Sequence, residues 1–271
     1  MHLSIFNTID LEKFYDSSSL CRDFSTFALM LVTTEAIVLH ALKYGETRVI
    51  VDVFTKTAGR VSLIASLPKT QKARLKKQYF QPMTLLEITY EEHQRAQLQK
   101  LKDARLLTAW STIPFQADKL ALALFSAEFL YYALRSEQQD ELLFQFISDS
   151  MLWLDAASQG YANFHLVFLM RLSRFLGFYP NLDDYRPGYV FDLRAGSFMG
   201  TAPLHNDFLS AGEAQRIQLL MRMNFPTMHL YRLSRHDRNR IVSVLLAYYR
   251  LHIPQFPELK SLQVLQELWN D

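Results

Sequence analysis

Residues 33–67 read TTEAIVLHALKYGETRVIVDVFTKTAGRVSLIASL. Apolar and polar side chains alternate with a period near two, and Val, Ile and Thr are frequent, which is the pattern of half-buried strands. This stretch predicts a strand over 33–44, a tight link at Gly45–Glu46, a second strand over 47–56 and, after a turn at Gly59, a third over 59–67. Two more segments of the same kind follow, MTLLEITYEE at 83–92 and LQKLKDARLL at 98–107. Five strands in about 75 residues, with no strong helical period between them, predict a small closed antiparallel barrel of the OB-fold over residues 31–110.

Past Pro114 the period becomes helical. ADKLALALFSAEFLYYALRS (117–136) sets Leu120, Leu124, Phe125, Ala127, Phe129 and Tyr132 along an apolar helix. DELLFQFISDSMLWLDAAS (140–158) and YANFHLVFLMRLSRFLGFY (161–179) are apolar nearly all round, as expected of helices inside a bundle. Residues 180–208 break the pattern with Pro, Gly and Asp, and YVFDL and SFMG around RAG predict a short hairpin there. Helices resume in SAGEAQRIQLLMRM, SRHDRNRIVSVLLAYYRLHI and ELKSLQVLQELW. The expected fold is therefore α+β: an N-terminal OB-fold β-barrel followed by an all-helical domain over 111–271 with a small irregular insertion.

Length and composition, 271 residues at 49% hydrophobic, allow one large core or two modest ones. No apolar run reaches the roughly 18 residues of a membrane span. The first residues lack a basic start, and Asp10, Glu12 and Lys13 interrupt any apolar segment, so no secretory signal is expected. A single cysteine, Cys21, excludes an intramolecular disulfide and points to a reducing compartment, the cytoplasm.

Charge is uneven. Residues 31–110 hold 13 basic and 7 acidic side chains, and from Val53 to Leu86 there are seven Lys or Arg and no acid. LPKTQKARLKKQYFQP, residues 67–82, concentrates Lys69, Lys72, Arg74, Lys76 and Lys77 in the connection between the third and fourth strands, as a loop at the barrel mouth or a short helix. Such a cluster is either a solvated face or a polyanion site. Tyr44, Phe54, Tyr79 and Phe80 flank the barrel and this loop, where rings stack on bases in single-strand binders. Alternation leaves open whether Phe54 points into the barrel or out. A second cluster, Arg232, Arg235, Arg238 and Arg240, falls at the start of a long helix, where positive charge opposes the helix dipole and a bound phosphate would relieve it. Surface arginines without a ligand are the alternative.

Residues arranged for catalysis are missing. The histidines are scattered, there is no Gly-x-Ser-x-Gly elbow, and neither phosphate-binding glycine motif occurs. His165 reads as a core side chain, and Asp183–Asp184 as a solvated turn. Binding, not an enzyme activity, is the expectation.

The run VLHALKYGETRVIVDVFTKTAGRVSLIA, followed by Gln81–Pro82, resembles the N-terminal domain of the RecO family of bacterial recombination mediators. The matching features are Glu46–Thr47, Phe54–Thr55, Gly59–Arg60–Val61 and Gln81–Pro82, and downstream EFLYYAL, ELLFQFI, FLMRLSRFLGFYPNLD and LKSLQVL. The resemblance implies a DNA repair factor that binds single- and double-stranded DNA and anneals complementary strands. With RecR it would help load RecA onto DNA coated by single-stranded DNA-binding protein, whose C-terminal tail it would contact through the helical domain. It also implies a cytoplasmic, nucleoid-associated protein. Arg60 matches the family's Gly-Arg position and, with Lys69, Lys72, Arg74, Lys76 and Lys77, is the expected phosphate contact; the second arginine cluster is a further candidate.

Three departures qualify the resemblance. Many relatives carry four cysteines in a zinc-ribbon-like insertion, here about 181–208, where Tyr185 takes the first cysteine position and no cysteine remains. His205 alone cannot supply four ligands, so no zinc or other cofactor is expected, and Tyr185, Tyr189, Phe191 and Phe198 should fill the hairpin instead. Ser66–Leu67 replace a family Lys-Gly pair. Residues 1–30 form an N-terminal extension, read as an appended helix or as translation from an upstream start codon, the latter preferred. Two other readings stay open: a protein-interaction scaffold with a solubilising basic loop, and an RNA-binding OB protein.

Overall fold

In the computed structural model residues 30–67, 75–93, 96–135 and 138–268 are described. The 1–29 segment and Lys69, Lys72 and Arg74 of the basic connection lie outside them.

The strands are β1 (Met30–Tyr44), β2 (Arg48–Thr55), β3 (Gly59–Ser66), β4 (Leu85–Glu92) and β5 (Leu98–Leu106). They close in the order β1-β2-β3-β5-β4, with β1 also paired to β4 and only β3–β5 parallel. Alternation assigns the faces. Ala36, Val38, Val51, Val53, Leu63 and Ile88 fill the barrel, while Ile37, Leu39, Phe54 and Leu85 join the core of the helical region. The unbroken apolar run at 36–39 follows from that double burial. Phe54 thus points outward and stacks on Phe144, with ring centroids 6.4 Å apart. Phe80 closes the barrel from the last turn of the basic connection, a short tight helix over Lys77–Phe80.

The helices are α1 (Ala117–Ala133), α2 (Glu141–Ala156), α3 (Phe164–Phe175), α4 (Ala211–Arg222), α5 (Arg235–His252) and α6 (Ser261–Gln266). Helix α3 is buried on nearly every side, as its sequence predicts. On α1 the apolar pattern misleads, because Leu120 and Leu124 are exposed while Leu122, Phe125 and Phe129 are buried. The carboxylate of Glu128 on α1 caps α6, accepting from the backbone of Lys260 at 3.0 Å and Ser261 at 2.8 Å.

Between 181 and 209 the expected hairpin, β6 (Val190–Asp192) and β7 (Ser197–Met199), gains a third strand, β8 (Phe208–Leu209), on the far side of β6. Tyr185 and Phe191 both pack edge-on against Phe198, each with centroids 4.9 Å away, and Phe191 lies 6.1 Å from Tyr248 of α5. His205 faces Asp192 at 3.4 Å, and among the described residues no group of three potential ligands is placed to hold a metal.

The barrel is tied to the helices by a buried carboxylate at the end of α2. Asp155 accepts the backbone N–H groups of Ser111, Thr112 and Ile113 at 2.8, 2.8 and 2.9 Å and the Ser111 hydroxyl at 2.8 Å. Buried Lys119 donates to the Asp155 carbonyl at 3.0 Å and to Thr112 Oγ1 at 2.7 Å. Burial alone would raise the Asp155 pKa, but the donors from Ser111, Ile113 and Thr112 hold it well below the usual carboxylate range. Asp155→Ala leaves several buried donors unmet, so urea unfolding should show a loss of about 2–4 kcal/mol.

His165, inside the core edge-on to Phe125, is pushed down to about 3, by burial first and by the Arg238 charge second. The unfolded chain takes up a proton there near pH 6.5 and the folded chain does not, so this group's stability is present above that pH and lost below it. Between pH 6 and pH 4 stability should therefore fall by roughly 1 kcal/mol per pH unit from this residue, and His165→Gln should flatten that part of the profile.

Candidate nucleic-acid interface

The pairing register fixes which side chains share the outer face of β1, β2 and β3, since directly opposed residues point the same way. Three rows result: Tyr44, Arg48 and Ser66; Leu42, Ile50 and Ile64; His40, Asp52 and Ser62. The first row lies at the open hairpin end, where Tyr44 is 53% and Leu42 56% exposed and Lys43 and Arg48 are in solvent. The basic connection leaves from the same end, because the Leu67 N–H donates to the Thr47 carbonyl at 2.6 Å. On its return, Lys76 and Lys77 are exposed, Tyr79 is half-buried and Phe80 is buried. Of the four aromatics marked in the sequence, then, Tyr44 and Tyr79 can meet a base, whereas Phe54 and Phe80 are core.

The opposite wall is neutralised. On β4 and β5, Glu91 is paired with Lys102 and Lys100, and Glu87 with Arg105 at 2.7 Å. The hydrogen bond from Lys102 holds the Glu91 carboxyl below its ordinary value. A polyanion meeting this wall would have to displace those carboxylates. At the open end of the β1–β3 face, no carboxylate is paired with Arg48 among the described residues.

Not every expected contact reaches solvent. Arg60 is folded into the seam between barrel and helices: its guanidinium donates to the Tyr131 carbonyl at the end of α1, lies 4.4 Å from the Tyr131 ring centroid and is 3.5 Å from Asp52. Lys56, from the same acid-free window, bridges Glu35 of the barrel at 3.7 Å and Glu141 of α2 at 3.3 Å. Its pKa is raised, chiefly by the hydrogen bond to Glu141 and then by the charge of Glu35.

The second arginine cluster is similarly committed. Arg235 donates to the Gln266 carbonyl at 2.8 Å, Arg238 to the Leu233 carbonyl at 2.6 Å, and Arg240 pairs with Glu213 at 2.6 Å. The start of α5 is also capped from within, as Ser234 and Asp237 form a reciprocal capping box and Asp237 pairs with Arg216 at 3.0 Å. The dipole conflict read from the sequence is thereby resolved without a phosphate. Among the described residues, exposed Arg232 has no hydrogen-bond or ion-pair partner. Conversely, the strand register sets Arg48 directly opposite Tyr44 on the outer face, a pairing that the charge count alone does not show.

The family model described as "Recombination protein O N terminal" matches residues 30–110, and that described as "Recombination protein O C terminal" matches residues 114–263. The chain belongs to the RecO family of DNA repair proteins. It is similar to the protein named DNA repair protein RecO from Phocaeicola vulgatus, 46% identical over 241 residues, which cover 89% of this chain and 100% of that one. The same name and coverage apply to relatives from Bacteroides fragilis, at 46% identity, and Porphyromonas gingivalis, at 34%. The gap between the two RecO matches, residues 111–113, is the segment gripped by Asp155. Arg60 of the Gly59–Arg60–Val61 run serves in this structure as a brace between barrel and helices. Arg60→Ala should lower stability by about 1–3 kcal/mol in thermal or urea unfolding, whereas Lys77→Ala, at an exposed site, should leave it within about 0.5 kcal/mol.

Proposed function

We propose that the protein binds single- and double-stranded DNA, anneals complementary strands and, with RecR, helps RecA load onto DNA coated by single-stranded DNA-binding protein. It acts in the cytoplasm by bringing strands together with their phosphate charge neutralised, a task that calls for no covalent chemistry and no cofactor. The observation that carries this reading is the asymmetry of the barrel. One wall combines exposed Tyr44 and Arg48 with the departure of the basic connection, while the other has its lysines and arginine paired to glutamates. Aromatic faces accept bases of any sequence, and uncompensated cations release counterions from phosphates, so the expected affinity tolerates any sequence and depends on salt. The tail of the coating protein is assigned to the helical domain, as family membership suggests.

The test is fluorescence anisotropy with a labelled single-stranded oligonucleotide across a salt series. Affinity should fall steeply as salt rises. Arg48→Glu combined with Lys77→Glu should weaken binding at least tenfold and reduce the salt slope by about one for each phosphate contact removed. An unchanged slope in a folded double variant would move the interface elsewhere. Absence of wild-type binding at low salt would favour the scaffold reading.

A further inference from the structure

A cavity of about 430 Å³ opens where the barrel meets the end of α1, bounded by Arg60, Ser62, Glu92, Gln97, Gln99 and Arg135. Three of its walls are fixed. The Gln99 side chain donates to the carbonyls of His93 and Ala96 and accepts the His93 N–H, holding the rim of the β4–β5 connection in place. Arg60 is held by the Tyr131 carbonyl and Ser62 by Asp52. What these leave to an incoming group are the Gln97 amide, the Glu92 carboxylate and Arg135. The Arg135 guanidinium is exposed and already stacked on one side, 4.8 Å from the Tyr132 ring centroid and 5.9 Å from that of Tyr131. Among the described residues, no hydrogen bond or ion pair engages its N–H groups.

The cavity adjoins the outer face of β1–β3, since Ser62 belongs to both. Its volume suits one nucleoside-sized group, and its open groups are a flat cation to stack on and an amide and a carboxylate to meet a base edge. We infer that it takes a single unstacked base of a DNA strand lying across the β1–β3 face, stacked on the side of Arg135 away from Tyr132. This rests on the DNA-binding reading above and sharpens it. Bases of a duplex are stacked and paired and cannot enter, so the pocket gives the protein a contact that only single strands make. It would also hold a strand with one base turned out of its stack.

The test compares a labelled single-stranded oligonucleotide with a duplex of the same length. Arg135→Ala should weaken single-strand binding roughly tenfold, the change expected from one lost stacked base, and duplex binding less than twofold. Arg135→Lys, which keeps the charge but loses the plane, should behave like Arg135→Ala. Gln97→Trp, which fills the cavity from its rim, should reproduce the selective loss. Equal losses for both DNAs that Arg135→Lys restores would make Arg135 a phosphate contact and overturn the pocket. So would single-strand binding that all three variants leave intact. Wild-type protein that binds neither DNA would overturn the function reading itself, an outcome distinct from these.

Discussion

Strand β1 has no solvent side through its middle. Ala36 and Val38 fill the barrel, and Ile37 and Leu39, one residue out of phase, are part of the helical core. A barrel normally wets its outer surface; here one wall is also the floor of the neighbouring domain. A slip of one residue would exchange the two sets and damage both cores at once, so the register is specified twice over. That double constraint fixes where every outward row on β2 and β3 points, and with it the face proposed to meet DNA.

The arginines and lysines divide by what they are near. Arg60, Lys56, Arg235, Arg238 and Arg240 satisfy carbonyls or carboxylates of the protein, and those on β5 satisfy glutamates of β4. A cation already paired has little to gain from a phosphate, because binding must first break the existing pair. Among the described residues, Arg48, Lys43, Lys76 and Lys77 have no such pair, and all four are exposed.

Much of the fold was legible because strands and helices announce themselves by period. The five strands, the change of period after Pro114 and the hairpin at 190–199 all followed from it. Strand β8 was not, since two residues cannot show a period. The exposure of Leu120 and Leu124 was equally hidden, because α1 is apolar on several sides and only its neighbours decide which side is covered. For the site, the sequence shows charge but not partners. Arg60 looked like the best phosphate contact, and its role depends on the Tyr131 carbonyl, 71 positions away. Arg135 drew no notice because it lies in a segment with more acids than bases, and its significance comes from the rings beneath it and the barrel wall opposite.

The Glu128 cap on α6 has a consequence for the order in which the chain can finish. Strands β1 to β5 contain all their own pairing partners, so the barrel can close while the rest is still being synthesised, at roughly 5–20 residues per second. Its outward residues Ile37, Leu39 and Phe54 then stay uncovered until the helices arrive. Helix α1 waits longer, because the backbone that Glu128 caps and the Leu259 and Leu265 side chains that join its core are made more than a hundred residues later. A ribosome stalled before residue 259 would hold a finished barrel beside an open bundle, with greasy surface on both.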